Sequence, residues 1–504
     1  MEKSLKTNCI EDELQRAKTE ENLRRAKEEE KRIGGTVAGC PFRTRFHIMP
    51  PVGWINDPNG LCQFRGVFHA YFQYSPLSVH GGGGYWGHCT SRDLLHWEYH
   101  DPVLTTDIPE DQSGVYSGSA LIEDGKMYLF YTGNVKLPGD YDYIDSGRIS
   151  NQLMVISEDG QEMSQKKKLL GIEDYPEDIT AHIRDPKVWK ADGRYYMILG
   201  ARARGYAEDG SRRDKGGVLI YASDDKLKWN LHQKLIPEKA FGYMWECPDL
   251  FELDGEKVLS FCPQGLEAEK ERFQNIYQSG YSLLSRSSDP EETFTEWDMG
   301  FDFYAPQTFR TEDGRRIMIG WAGVPDTEKA HRNLSVANGW QHCLTLPREL
   351  SIKDGKIYQK PVKELYALGW KNEQTADSRY HWDGRTVLLE IKEIGGMFQK
   401  IRIGQEENGL TVHIEDDLVE LSFLTGGAGT AASGRETCEC GGGRRRRIGR
   451  VSGKVDELTV LADSSIVEVF VNGGELVFTT RIYLEGRERD LAVSGAGKYS
   501  IFTV

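Results

Sequence analysis

Residues 183–196 read Ile183-Arg184-Asp185-Pro186-Lys187-Val188-Trp189-Lys190-Ala191-Asp192-Gly193-Arg194-Tyr195-Tyr196. Asp192-Gly193 between two runs of aliphatic and aromatic residues is a strong hairpin signal, because tight two-residue turns need positive φ. The arrangement recurs as Arg65-Gly66-Val67-Phe68, Asp124-Gly125-Lys126-Met127-Tyr128, Asp254-Gly255-Glu256-Lys257-Val258 and Asp313-Gly314-Arg315-Arg316-Ile317. The turn glycines fall at 66, 125, 193, 255 and 314, about sixty residues apart. Each unit has room for a four-stranded sheet with loops, and five units predict an all-β, five-bladed β-propeller. Ser91-Arg92-Asp93-Leu94-Leu95-His96-Trp97 and Ser223-Asp224-Asp225-Lys226-Leu227-Lys228-Trp229 echo one another, as outer turns whose Trp packs between blades.

Just upstream of three of these turns lies an acid: Asp57 in Trp-Ile-Asn-Asp-Pro-Asn-Gly, Asp185 in Ile-Arg-Asp-Pro and Glu246 in Trp-Glu-Cys-Pro-Asp. The other two units carry Tyr116-Ser117-Gly118-Ser119 and Tyr304-Ala305-Pro306-Gln307 there. Read as one repeat position on the innermost strand, the three acids would ring one end of a central channel. Crowded carboxylates are costly unless chemistry needs them. Asp-Pro alone is a common turn sequence; three acids in register point to an enzyme. Two carboxylates facing one glycosidic bond suffice for hydrolysis. The third, Asp185, should stay ionised beside Arg184 and hold hydroxyls or a developing cation. Glu246, among Trp245, Cys247 and Pro248, is expected to hold its proton as an acid. Asp57, flanked by the amides of Asn56 and Asn59, is expected to be charged.

The balance of 63 basic against 78 acidic residues gives a net charge of −15 without broad clustering of the basic ones, so neither nucleic acid nor an anionic membrane is an expected partner. No apolar run is long enough to span a bilayer. The N-terminus, dense in Glu, Lys and Arg, does not read as a secretory signal. Nine cysteines without paired CxxC spacing suggest reduced thiols, no metal and a cytoplasmic protein. No cofactor loop is present.

The expected organisation is a charged helical arm over 1–40, a propeller over 41–352, a linker over 353–375 and a β-sandwich over 376–504. Residues 10–32 read as a solvated helix, with Ile10, Leu14, Ala17 and Leu23 as the stripe that would pack if it docks. The sandwich is expected from strands at Val387–Ile394, Phe398–Ile403, Leu410–Ile414, Leu458–Leu461, Val467–Val471 and Leu476–Tyr483. Gly426 to Arg450, with Arg444-Arg445-Arg446-Arg447, reads as a solvated loop.

The ordered motifs resemble those of family 32 glycoside hydrolases, the invertase and β-fructofuranosidase group. They are Trp54–Gly60, Phe72-Gln73-Tyr74, Trp86-Gly87-His88, Tyr116–Ser119, Arg184-Asp185-Pro186, Trp245–Pro248 and Phe303–Gln307. Within the family the pattern is most similar to the bacterial branch acting on sucrose 6-phosphate. The resemblance implies a propeller joined to a sandwich and a retaining double displacement on a fructofuranoside. Asp57 would be the nucleophile, Glu246 the general acid and base, and Asp185 the stabiliser of the oxocarbenium-like state. Trp54, Asn56, Gln73, Trp86, Tyr116, Ser117, Arg184 and Trp321 would bind the sugar. Retention further implies carboxyls of Asp57 and Glu246 about 5–5.5 Å apart. Sucrose, sucrose 6-phosphate or short fructo-oligosaccharides are the implied substrates. Fructosyl transfer, fructan hydrolysis and a non-catalytic sugar-binding propeller are the alternatives. His80-Gly81-Gly82-Gly83-Gly84 departs from the family's aromatic element, which implies a looser loop and an aromatic wall either absent or supplied by Tyr85 or Trp86.

Overall fold

The computed structural model describes all residues but 1, 288, 330, 374–377, 382–385, 426–436 and 487–488, with side chains from residue 13 onward. It is an all-β chain preceded by one long helix, α1 (Glu2–Ala38). Among the described residues, five sheets precede two six-stranded ones, an arrangement consistent with a propeller followed by a β-sandwich.

Each of the five sheets begins with a long strand: Gly53–Phe64, Gly114–Glu123, Ile179–Ala191, Met244–Leu253 and Tyr304–Arg310. Each of these inner strands touches the next, and the fifth touches the first. The hairpins form at the expected glycines, with both residues of Arg65-Gly66, Asp124-Gly125, Asp192-Gly193 and Asp254-Gly255 at positive φ. The fifth turn is longer, running from Arg310 to Arg316. Trp340–Gln341 adds a parallel strand beside Gly53 and Trp54, so the fifth unit clasps the first sheet. Asp93 accepts from the backbone N–H groups of Leu95 and His96, and Asp225 from those of Leu227 and Lys228. Ser157-Glu158-Asp159 is a third copy of this turn, in which Asp159 accepts from Gln161 and Glu162.

The stretch read as a linker contains two strands. Lys356–Pro361 completes the fifth sheet, and Lys371–Glu373 joins the first six-stranded sheet. The six sandwich strands expected from sequence are present within about two residues at each end. Leu418–Ser422, Arg446–Arg450, Asp490–Gly495 and Lys498–Thr503 were not foreseen. The strand Thr386–Lys392 shows why the alternation is weak: Val387, Leu389 and Ile391 enter the sandwich core, while Leu388 packs with Phe46, Leu365 and Leu461 toward the first unit. Both faces are covered, so both are apolar.

Two readings are corrected. The helix α1 is docked rather than solvated: Thr19 donates to Asp107, Asn22 to the Thr106 carbonyl, Tyr74 to Glu30, and Lys27 pairs with Asp101. Its packing stripe is Ala26, Ile33 and Val37, whereas Leu14 is 66% exposed. Ile10 lies outside the described side chains. The arginine run is not a loop either. Arg444 is buried, donating to Asp302 and Asn333, and Arg446–Arg450 is a strand beside Leu418–Ser422. Residues 426–436 of that segment lie outside the described residues.

A buried ionic network joins the two halves. Arg348 donates to Asp298 (3.1 Å), Gln359 (2.9 Å), Glu468 (2.7 Å) and Thr479 (2.5 Å). His47 sits between Asp463 (2.8 Å) and Glu468 (3.2 Å), whose charges outweigh burial and push its pKa up to about 9. Removing Arg348 would strand buried carboxylates, so Arg348→Met should cost about 3–5 kcal/mol in denaturant unfolding. Because the folded pKa of His47 exceeds its unfolded value of about 6.5, its contribution is full below that pH. It should fade as pH rises through about 9.

Candidate active site

The ladders place a β-bulge at the same point of all five inner strands. Pairing skips from Ile55 to Pro58, Val115 to Gly118, Arg184 to Lys187, Glu246 to Asp249 and Tyr304 to Gln307. In each case three steps on the inner strand oppose two on its neighbour, which bends the strand and re-aims side chains. Asp185 (φ 63°), Cys247 (φ 47°) and Ala305 (φ 47°) occupy the first extra position in left-handed backbone.

This register corrects the expectation that the acids share one repeat position. Glu246 is the last paired residue before its bulge, level with Arg184 and Tyr304. Asp185 is the first bulged residue, level with Cys247; Asp57 is the second, level with Ser117. Each acid is held sideways by its own level. Arg184 donates to Glu246 Oε1 through Nε (3.1 Å) and Nη2 (2.6 Å), and Tyr304 Oη donates to Oε2 (2.7 Å). The Cys247 N–H donates to Asp185 Oδ2 (2.9 Å). Ser117 Oγ donates to Asp57 Oδ2 (2.6 Å). Gln264, from the neighbouring strand, completes Glu246 with a bond to Oε2 (2.8 Å).

The neighbours differ from those inferred by adjacency in sequence. Glu246 meets four donor groups rather than an apolar wall. Arg184 is closer to Glu246 than to Asp185, whose carboxylate is 4.0 Å away. Burial therefore dominates at Asp185 and raises its pKa to about 7, opposed by Arg184. Burial likewise raises the pKa of Asp57, opposed by its bonds from Ser117 and Asn56. Asn59 faces away and accepts from the Gly118 N–H. The Cys247 thiol lies 3.6 Å from both Asp57 Oδ2 and Asp185 Oδ2, a weak donor shared by two acids.

All three carboxylates open into one cavity of about 490 Å³, whose walls include Trp54, Asn56, Gln73, Tyr116, Ser117, Arg184 and Trp321. Trp54 Nε1 donates to Asn56 Oδ1 (2.8 Å), and Asn56 in turn donates to Asp57 Oδ1 (3.1 Å). Gln73 is fixed by a bond to the Val115 carbonyl. Trp86 is the exception among the candidates. It is fully buried behind the wall, donating to the Tyr116 carbonyl, and Tyr85 instead faces α1. The aromatic wall is made by Trp54 and Trp321, with the buried ring of His342 edge-on to both.

The glycine run is shaped by its backbone, with Gly81, Gly82 and Gly83 all at positive φ. A Cβ at Gly81 would sit 3.4 Å from the Trp54 ring and one at Gly83 3.5 Å from Tyr116, both at positive φ. Gly83 donates to Ser75 Oγ and accepts from the Val115 N–H. Sequence reading missed Tyr304, Gln264 and, at the rim, Lys136. Tyr304 lay inside a recognised motif; Gln264 had no local signal because a neighbouring strand supplies it.

Comparison with known proteins places this geometry in context. The family model for the glycosyl hydrolases family 32 N-terminal domain matches residues 47–361, and that for the C-terminal part matches 431–502. The chain is 35% identical over 476 residues to a sucrose-6-phosphate hydrolase of Bacillus subtilis, covering 91% of this chain and 92% of that one. It is 35% identical to a raffinose invertase of Escherichia coli, over 91% and 93% of the two chains. Among solved structures, a sucrose-6-phosphate hydrolase from Lactobacillus gasseri superposes with a TM-score of 0.78 at 28% identity, covering 94% and 95%. A Bombyx mori β-fructofuranosidase variant in complex with sucrose gives 0.75 at 29%, covering 94% and 96%.

Proposed function

Because the chain belongs to glycosyl hydrolase family 32, we propose that it cleaves the fructosyl bond of sucrose or sucrose 6-phosphate through a covalent fructosyl-enzyme. The observation that carries the reading is the convergence of Asp57, Asp185 and Glu246 on one cavity from three differently registered bulges.

In this reading an Asp57 oxygen attacks the anomeric carbon of fructose while Glu246 protonates the departing glycosidic oxygen. The C–O bond to glucose breaks as the ester to Asp57 forms. Esterification removes the negative charge beside Glu246, which then takes a proton from the incoming water and releases fructose. Asp185 lies against the Cys247 N–H, where it holds fructose hydroxyls and faces the developing positive charge. Arg184, Tyr304 and Gln264 fix the Glu246 carboxylate in one orientation, which removes reorganisation at the moment of proton transfer. Trp54, Trp321, Asn56, Gln73, Tyr116 and Ser117 line the sugar's side of the cavity.

The five N-terminal sheets are the five blades of a propeller spanning about 41–361, with 371–504 as the sandwich. Support comes from the ring of contacts among inner strands and from the sheet order. The eight described cysteines are all buried and none is in a disulfide, which fits a reducing cytoplasm.

The phosphorylated substrate is favoured by Lys136, an exposed cation at the cavity rim. Its ammonium could pair with a phosphoryl group on the glucose side of the substrate, at a rim that also carries Asp326 and Glu328. Lys136→Ala should lower kcat/KM for sucrose 6-phosphate about tenfold and leave that for sucrose within about twofold. Steady-state kinetics on both substrates test this, and equal losses on the two would remove Lys136 as the phosphate reader. Product analysis at high sucrose tests the reaction itself: free fructose and glucose mark hydrolysis, whereas kestose-type oligomers mark transfer.

A further inference from the structure

Beyond their bulges the five inner strands run on to the hairpin turns and line a second, open cavity, of about 1070 Å³, at the other end of the channel. It shares no lining residue with the acid cavity. Gln307, donating to the Gly118 carbonyl, and Asn59, accepting from the Gly118 N–H, lie between them.

The second cavity contains a charge imbalance. Arg310 and Arg316 are directly opposed cross-strand partners on the fifth unit's hairpin. Like charges in that position repel. Among the described residues neither guanidinium has a carboxylate within 4.0 Å. Arg316 lies 4.9 Å over the Phe251 ring and reaches only Thr308 Oγ1, at 3.5 Å. The nearby carboxylate is half engaged: Asp249 Oδ2 pairs with Lys187 (3.1 Å) and accepts from the Thr308 N–H and hydroxyl, while Oδ1 has no hydrogen-bond partner among the described residues. Burial opposes the charge on Arg316, the Asp249 carboxylate favours it, and the repulsion from Arg310 opposes it more weakly. Asp192, Glu252 and Glu312 are the other acids of the lining, against Arg65, Lys190 and Lys257. Lys190 is drawn away to Glu123, and Glu312 accepts from the Gly66 N–H.

Arg310 is exposed and Arg316 half-buried, and opposed guanidiniums with no described carboxylate within 4.0 Å make a cationic spot that a bound anion would neutralise. Paired guanidinium forks match the oxygens of a phosphoryl group better than those of a chloride-sized ion. The volume is that of a small-metabolite site, and one wall is a stacked Trp189–Tyr196 pair with centroids 5.5 Å apart. We infer that the channel end opposite the acids is a binding site for the phosphoryl group of a small metabolite, gripped by Arg310 and Arg316 with Lys187 alongside.

The test is calorimetric titration of the full chain with inorganic phosphate and with glucose 6-phosphate at constant ionic strength, paired with tungstate soaks of crystals. The expected result is tungstate between Arg310 and Arg316, and a loss of phosphate affinity of about 30-fold or more in R310Q/R316Q. R310K/R316K keeps the charge and should stay within about tenfold of the parent. Both double variants should cleave sucrose at close to the parental rate in phosphate-free buffer, which shows that they are folded. Tighter binding of the sugar phosphate than of inorganic phosphate identifies an ester site, and the reverse a free-phosphate site. Tungstate only beside Arg184, or unchanged binding in R310Q/R316Q, overturns the inference without touching the hydrolase reading.

Discussion

Asp57→Ala is expected to lower kcat/KM for sucrose by about 10⁴- to 10⁶-fold, the loss typical of removing a nucleophile from a catalytic unit. That is roughly 5–8 kcal/mol of transition-state stabilisation at 1.36 kcal/mol per tenfold change. Neither neighbouring acid is placed to substitute: Asp185 is tied to the Cys247 N–H, and Glu246 to Arg184, Gln264 and Tyr304. The fold should survive, because the substitution also removes a buried charge that repels Glu246. Thermal melting should therefore match or exceed that of the parent. Near-normal sucrose cleavage by a folded Asp57→Ala protein would sink the mechanism. The pH profile offers a second check on the parent. Asp57 attacks only when ionised, and its raised pKa means that kcat/KM falls as pH drops below a limb lying above the ordinary aspartate value of about 4.

Glu246→Gln should lower turnover of sucrose by about 10²- to 10⁴-fold, the range for loss of general acid–base assistance. Gln keeps an oxygen to accept from Arg184, and its amide N–H can donate to Tyr304 Oη and to a turned Gln264 amide oxygen, so the pocket keeps its shape and the loss reports proton transfer. An aryl fructoside, whose leaving group needs little protonation, should form the fructosyl-enzyme at a much less impaired rate. Azide, which needs no base, should then restore turnover and yield fructosyl azide of retained configuration. If the variant is equally slow on both substrates and azide has no effect, Glu246 is a positioning residue and the proton comes from elsewhere.

Much of this site was legible in the chain because the repeat is local. Each Gly turn, each short strand and each Pro-bearing motif lies within one unit, so spacing alone located five inner strands and three acids. The differences share a cause: side chains adjacent in sequence need not be neighbours in space. Trp245, Cys247 and Pro248 suggested an apolar setting for Glu246, yet its partners come from residues 184, 264 and 304. Trp86 sits in a recognised motif but points behind the wall, because successive strand residues face opposite sides. The run Arg444–Arg447 looked solvated by composition, yet Arg444 meets Asp302 and Asn333, more than a hundred residues upstream.

What the sequence determined by itself was the number and spacing of the hairpins, the β class, the identity of the acids and the family pattern. These follow from short-range rules of turn geometry, alternation and residue chemistry. The tertiary structure alone decided how the acids differ. A single extra residue in each inner strand sets Glu246, Asp185 and Asp57 at three successive levels of the bulge, and each level draws its partner from the next strand. Register is a property of paired strands, and burial a property of the closed assembly. Neither is carried by any one segment of the chain.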